Sequence, residues 1–106
     1  MKQINAKDIE KKFAEKKLPM KRVATTAAAE CFAYYVNTKN AGQKVNMEIK
    51  YKEIEERESL KKGSAFKRVD DFCKIAHEKY PEYFHGVKPS PKDLFAILEP
   101  EFNEIN

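Results

Sequence analysis

The sequence is poor in the residues that build phosphate-binding loops and membrane spans. It contains only three glycines among 106 residues, so a glycine-rich loop that cradles phosphates is hard to build, and no nucleotide-binding or H-E-x-x-H motif is present. The longest apolar stretch is shorter than the ~20 residues that a membrane-spanning helix needs. These absences argue against a nucleotide-dependent enzyme and against a membrane protein.

Cysteine is scarce too, and tryptophan is absent. Cys31 and Cys73, without a recognisable secretory signal, predict reduced thiols and a cytoplasmic location. With His77 and His85 they offer four zinc ligands, but the C-x₂₋₄-C pair of known zinc sites is missing. Cys73 and His77 share a helix face, yet a nucleophile and base there would lack an orienting third group and an oxyanion loop. We therefore expect no metal, no cofactor and no enzymatic activity.

One stretch is almost free of charge in a chain that is 36% charged. Residues 23–37 carry only Glu30, and no helix face there is left polar. A helix that is apolar nearly all round is covered by other helices, and its small alanines let them approach closely. We predict a mainly α, single domain over residues 1–106, with four to five helices around a central helix at residues 21–37.

The segment over residues 44–62 carries two conflicting patterns. Apolar and polar residues alternate over 44–51, which is typical of a short extended segment. From Lys50 onward, lysine, glutamate and arginine favour helix. We expect a mostly helical segment with an extended start that ends at Gly63. Elsewhere, Asn5, Ser64 and Ser90 are expected to cap helices, and the chain is expected to fray after about residue 100.

The positive charge is concentrated at the N-terminal end. Net charge is +4, and residues 1–22 alone contribute +5, from eight basic and three acidic residues. Several of these cations fall at a predicted tight turn after Pro19 ends the first helix, next to the positive dipole end of the central helix. This pattern predicts a small non-enzymatic accessory protein that contacts nucleic-acid phosphates rather than base edges. The predicted contact residues are Lys12, Lys16, Lys17, Lys21 and Arg22.

Part of the chain resembles a known DNA-binding family. Residues 14–16 (AEK), Phe32 and the closing Gly42-x-Lys44-Val45 are similar to the first half of HU-type architectural proteins. That family continues into a sheet and a long, arginine-rich, proline-tipped arm. Residues 46–75 contain no proline and nearly balanced charge, so the family's DNA-contacting part has no counterpart, and we do not assign the chain to it.

The C-terminal segment suggests an alternative function. Residues 93–105 combine apolar side chains with four acidic residues and no basic ones. Such a helix is marginal alone, so its apolar face must be buried against its own domain or in a partner's groove. The alternative prediction is therefore a protein-interaction adaptor or inhibitor; the sequence does not determine its oligomeric state. Its predicted partner-binding residues are Leu94, Phe95, Leu98 and Phe102.

Overall fold

Five α-helices make up most of the computed structural model, which describes residues 3–15 and 22–102. No strand occurs within these two ranges, and the predicted mainly α fold is confirmed. The helices are α1 (Ala6–Glu15), α2 (Arg22–Asn40), α3 (Met47–Arg57), α4 (Ser64–Lys79) and α5 (Pro91–Phe102), with a 3₁₀ turn at Pro81–Phe84 between α4 and α5.

Helix α2 lies at the centre, as its composition predicts. It packs against each of the other four α-helices. The helix runs three residues past its predicted end, to Asn40, and Gly42 then takes a positive φ of 75° to turn the chain. Its buried side chains are mostly small, which lets the neighbouring helices approach: Ala24, Thr25, Ala27, Ala28, Ala29, Cys31, Phe32, Ala33 and Val36.

Aromatic pairs join the outer helices to one another and to α2. The rings of Phe13 in α1 and Phe72 in α4 lie 4.8 Å apart. Phe32 in α2 meets Phe95 in α5 edge-on at 5.3 Å. All four rings are fully buried. They fill one continuous core in a domain whose radius of gyration is 13.1 Å, the size of a single domain of about 100 residues.

Two of the predicted helix caps are confirmed. The Oδ1 atom of Asn5 accepts the Asp8 amide at 2.9 Å, and the Oγ atom of Ser90 accepts the Asp93 amide at 3.2 Å. Each side chain satisfies an amide in the first turn that has no partner within its helix. The starts of α1 and α5 are therefore set by local sequence.

The third predicted cap is wrong. Ser64 is already inside α4, and the capping position belongs to Gly63, whose φ of 91° excludes most other residues. Gly63 has no side chain to cap with. Instead, Oε2 of the buried Glu55, in α3, accepts the amides of Gly63 at 2.9 Å and Ala65 at 3.1 Å. The start of α4 is thus held by a residue of the preceding helix.

The segment over residues 44–62 combines both predicted tendencies. Asn46 is extended, with φ −130° and ψ 94°, and helix begins at Met47 rather than after residue 51. Helix α3 ends at Arg57, earlier than Gly63, because Ser59 turns into the left-handed region at φ 54°. The Leu60 amide then bonds to the Glu55 carbonyl at 2.8 Å, a C-terminal closure typical of helix ends.

Helix α5 continues through Pro100 to Phe102, past its predicted end. A proline this close to a helix C-terminus deprives only the carbonyl four residues earlier of its partner. That residue, Ala96, is exposed, so water can satisfy its carbonyl. The chain is predicted to fray after about residue 100, but residues 101 and 102 are still helical; residues 103–106 lie outside the described ranges.

Candidate functional site

The predicted nucleic-acid contacts fall largely outside the described residues. Lys16, Lys17 and Lys21 lie in the stretch between α1 and α2, and only the backbone of Arg22, the first residue of α2, is described. Lys12 is described, and its ammonium lies 3.7 Å from the Glu15 carboxylate, a charge that partly offsets its own. The described surface nearest to these residues is the one around the start of α2.

A network of ion pairs covers the side of α2 that faces α3. The guanidinium of Arg57 donates two hydrogen bonds of 2.8 Å to the Glu30 carboxylate. Lys50 lies 3.0 Å from the same carboxylate and 3.2 Å from that of Glu53. A bidentate arginine–carboxylate pair is the strongest geometry for an ion pair between side chains. Glu30, the single acid in the body of α2, is thus matched by cations of α3.

The network extends from α3 into α4. Glu58 accepts hydrogen bonds from Arg68 at 2.8 Å and from Arg57 at 3.1 Å. These bonds, led by that from Arg68, lower the pKa of the Glu58 carboxyl. The hydrogen bond from Arg57 is likewise the main cause of the lowered pKa of Glu30, against the opposing effect of burial. Both acids therefore stay ionised at neutral pH, with their charges neutralised locally.

The same contacts place the α3–α4 turn beside the start of α2. Val23, Thr26 and Ala27 of α2 line a hollow of about 170 Å³ together with Glu58 and Arg68. The turn that follows Glu58 and the first turns of α4 therefore lie at the end of the bundle where Arg22 begins α2. The α3–α4 turn and the start of α2 are far apart in the sequence.

Three exposed lysines lie on or next to this turn. Lys61 and Lys62 are in the turn itself, and Lys67 is in the first turn of α4. None of them forms an ion pair with a described residue, whereas the acids nearby, Glu58 and Glu30, are already paired. Sequence reasoning missed these lysines. The Lys61–Lys62 and Lys67–Arg68 pairs are evident in the sequence, but only the fold places Glu58 and Arg68 beside the start of α2. Lys62 itself lines the hollow between α3 and α4.

The predicted partner-binding face of α5 is turned inward. Leu94, Phe95 and Leu98 are 1%, 0% and 4% exposed, and Phe95 contacts Phe32 of α2. The side chain of Phe102 lies outside the described part of the structure. A partner could contact the three buried residues only if α5 left the domain, so they contribute to the core in the folded chain, and their partner role stays a prediction.

The cysteines and histidines do not form a metal or catalytic constellation. Burial is the main cause that raises the pKa of both Cys31 and Cys73 to about 12, so both thiols are protonated at neutral pH. The ring of His77 lies 6.4 Å from that of Phe84, and His85 is exposed at a left-handed turn. Over residues 3–15 and 22–102, no group of three or more histidine, cysteine or acidic residues is placed to hold a metal ion.

Comparison with known proteins adds no relative to this description. No model of a protein family matches the chain, and neither a curated protein nor a solved structure gives a significant match. Within the described ranges, no helix combines the length and apolar character needed to cross a membrane.

Proposed function

We propose that this protein is a small basic, non-enzymatic accessory protein that associates with nucleic acid through phosphate contacts. Its binding surface combines the basic segment at residues 16–22 with the three lysines at the α3–α4 turn, Lys61, Lys62 and Lys67. The observation that carries the proposal is the hollow shared by Val23 and Thr26 with Glu58 and Arg68. This hollow puts Glu58 and Arg68, which flank the lysines of the turn in the sequence, beside the start of α2, and residues 16–21 directly precede α2 in the chain.

The balance of charge at this end supports a polyanionic ligand. The acids of the network, Glu30, Glu53 and Glu58, are matched by Lys50, Arg57 and Arg68. Lys61, Lys62 and Lys67 form no ion pair with a described residue, although the unpaired Glu48 and Glu56 line the same hollow as Lys62. Residues 16–22 add four more basic side chains and no acid. Glu10 is the neighbouring acid of α1, and it accepts a hydrogen bond of 3.2 Å from Thr26. A surface of this kind attracts phosphates without reading base sequence.

The burial of α2 also favours contacts to phosphates over contacts to base edges. Helix α2 is buried by four other helices, so it has no free face to insert into a major groove as recognition helices do. Lysines on a turn act as point charges that approach a backbone from outside. We therefore expect binding that is uniform across sequences and strongly dependent on salt.

The experiment measures binding of a labelled DNA duplex of about 20 base pairs by fluorescence anisotropy between about 50 and 200 mM KCl. Two variants test the two segments: Lys16→Ala/Lys17→Ala/Lys21→Ala/Arg22→Ala, and Lys61→Ala/Lys62→Ala/Lys67→Ala. The matched control, Lys7→Ala/Lys39→Ala/Lys74→Ala, removes three exposed lysines, none of which lines the hollow beside Val23 or the hollows along α3. Each lost phosphate contact should make the slope of log affinity against log salt shallower by about 0.9.

Both test variants should weaken binding to every duplex sequence, and the control should change it much less. Equal losses in the turn variant and in the control would mean that only total charge matters and would refute the surface. A wild-type chain that does not bind duplex DNA or single-stranded RNA even at low salt would refute the proposed function as a whole.

A further inference from the structure

A large hollow on the described surface lies between α3 and α4, on the side of α3 away from Glu30. It has a volume of about 990 Å³. An adjoining hollow of about 510 Å³, towards the start of α5, shares Glu48, Tyr51 and Phe66 with it. We refer to the two together as the α3–α4 groove.

Two exposed apolar side chains stand in this groove. Ile49 of α3 is 59% exposed, and Phe66 of α4 is 46% exposed. One edge of the Phe66 ring packs against Tyr51, with centroids 5.7 Å apart, and the rest faces water. Large exposed apolar groups on a groove wall are typical of a surface that another molecule covers.

A row of alternating charges runs along the same groove. Lys44, Glu48, Lys52 and Glu56 follow one another at intervals of four residues, and all four line the groove. Each side chain is exposed, and none forms an ion pair with a described residue. The opposite face of α3 is different, because Lys50, Glu53 and Arg57 are all paired there. The groove row keeps its charges available for an outside partner.

We propose that the α3–α4 groove binds the same groove of a second copy of this chain, with the two α3 helices antiparallel. The sign order of the row is plus, minus, plus, minus, and reversing its direction gives the complementary order. In an antiparallel pair, Glu48 then faces Lys52 of the second copy, and Glu56 faces Lys44 of the second copy. Two-fold symmetry makes each of these contacts twice.

A second copy fits this surface better than a partner of one charge sign. An acidic or a basic partner would be attracted by half of the row and repelled by the other half. A second copy supplies the alternating pattern in full, and it also supplies Ile49 and Phe66 to cover their own counterparts. Helices whose four-residue ridges interdigitate in this way form a common packing class.

Sedimentation equilibrium of the nuclease-treated chain tests the proposal, at concentrations from about 1 to 500 μM. The wild type should show a reversible monomer–dimer equilibrium without nucleic acid. Ile49→Glu should raise the dimer dissociation constant at least about a hundredfold, since it places a charge at the centre of the interface. The matched control is Val87→Glu, which changes a valine that is 69% exposed outside the groove, and it should leave the constant unchanged.

A charge swap tests the antiparallel register. Lys52→Glu alone places like charges opposite each other twice per dimer and should raise the dissociation constant about tenfold. Adding Glu48→Lys to the same chain exchanges the two signs and should restore the wild-type constant. Circular dichroism melting of each variant verifies that the monomer remains folded.

Three outcomes would overturn the proposal. A chain that stays monomeric up to the highest concentration would leave the groove to a different molecule or to solvent. A dimer that Ile49→Glu does not weaken would use another surface. A double variant as weak as Lys52→Glu would exclude the antiparallel pairing. Lys62 lines the groove and also belongs to the proposed DNA surface, so the dimer measurements are made without nucleic acid and with variants that leave Lys61, Lys62 and Lys67 unchanged.

Discussion

Helices α2 and α3 are neighbours that differ in how much of their surface is buried. Helix α2 is surrounded by the other four α-helices, and all of its buried side chains except Thr25 are apolar, while polar side chains at its edges bond to the neighbouring elements. Helix α3 buries only Met47, Tyr51, Ile54 and Glu55. Polar contacts fix much of the rest: the hydroxyl of Tyr34 bonds to the backbone of Asn46 at its start, and Arg57 pairs with Glu30 near its end.

This difference explains why composition identifies one helix and not the other. Burial on all sides requires apolar residues on all sides, so a stretch with a single charge, such as residues 23–37, indicates that its helix lies at the centre of the fold. A helix positioned by side chains of distant elements carries no such local signal. Variants of each helix can therefore test whether α2 is stabilised mainly by apolar packing and α3 to a larger extent by polar contacts.

The largest effect is expected from Phe32→Ala in α2. The Phe32 ring is fully buried against Phe95, and truncation of such a ring costs about 3–5 kcal/mol of unfolding free energy. The matched control is Phe66→Ala, the same change at a ring that is 46% exposed. It should cost far less. Urea denaturation followed by circular dichroism measures both, and equal costs would contradict the central role of α2.

A smaller loss is expected from Glu55→Ala in α3. The Glu55 carboxylate accepts the amides of Gly63 and Ala65, so its removal leaves the start of α4 uncapped, at a cost of about 2 kcal/mol. Glu55→Gln retains an uncharged acceptor and should lose about half as much. The neighbouring exposed Glu56→Ala is the control and should change little.

Amide hydrogen exchange gives this prediction a local readout. In Glu55→Ala, the amides of Gly63 and Ala65 should exchange much faster than in the wild type, while amides in the middle of α2 should change only with global stability. Uniform acceleration across all helices would show that Glu55 acts through general stability rather than as the cap of α4.

The sequence predicted the elements well and their mutual contacts poorly. In the sequence, Phe66 has helical spacing with the apolar Val69 and Phe72, yet its ring is half exposed. A helical pattern shows which way a side chain points, but not how far the neighbouring helix extends to cover it. Tyr51 covers only one edge of this ring. The cap of α4 was missed for a similar reason, since Glu55 comes from another helix.

The candidate site shows the same limit. The charge count indicated a basic N-terminal segment, but not that the α3–α4 turn would lie beside the start of α2. Glu58 follows Val23 by 35 positions in the sequence, and only the fold brings Glu58 and Arg68 into one hollow with Val23. The roles of Lys16, Lys17 and Lys21 stay predictions, because these residues lie outside the described ranges.

The smallest effect on stability is expected from a change at Glu30, whose ion pairs join α2 to α3. Its side chain is 19% exposed, so solvent screening limits the contribution of its ion pairs to about 1 kcal/mol. Arg57, and then Lys50, hold the pKa of Glu30 below its ordinary value of 4.5. A carboxyl with a lowered pKa in the folded state stabilises the fold above its unfolded pKa, and that contribution is lost as pH falls through the folded value.

Glu30→Gln should therefore cost about 1 kcal/mol at pH 7 and progressively less as the pH is lowered below about 4.5, where the wild type loses the same contribution. Urea denaturation midpoints between pH 7 and pH 3 measure this convergence. Arg57→Lys keeps the charge but not the paired hydrogen bonds, and should lose part of the same energy. Glu78→Gln, at an exposed carboxylate without an ion pair among the described residues, is the control. If Glu30→Gln and Glu78→Gln behave alike at every pH, the charged contacts of α3 contribute nothing, and this helix too is held by packing alone.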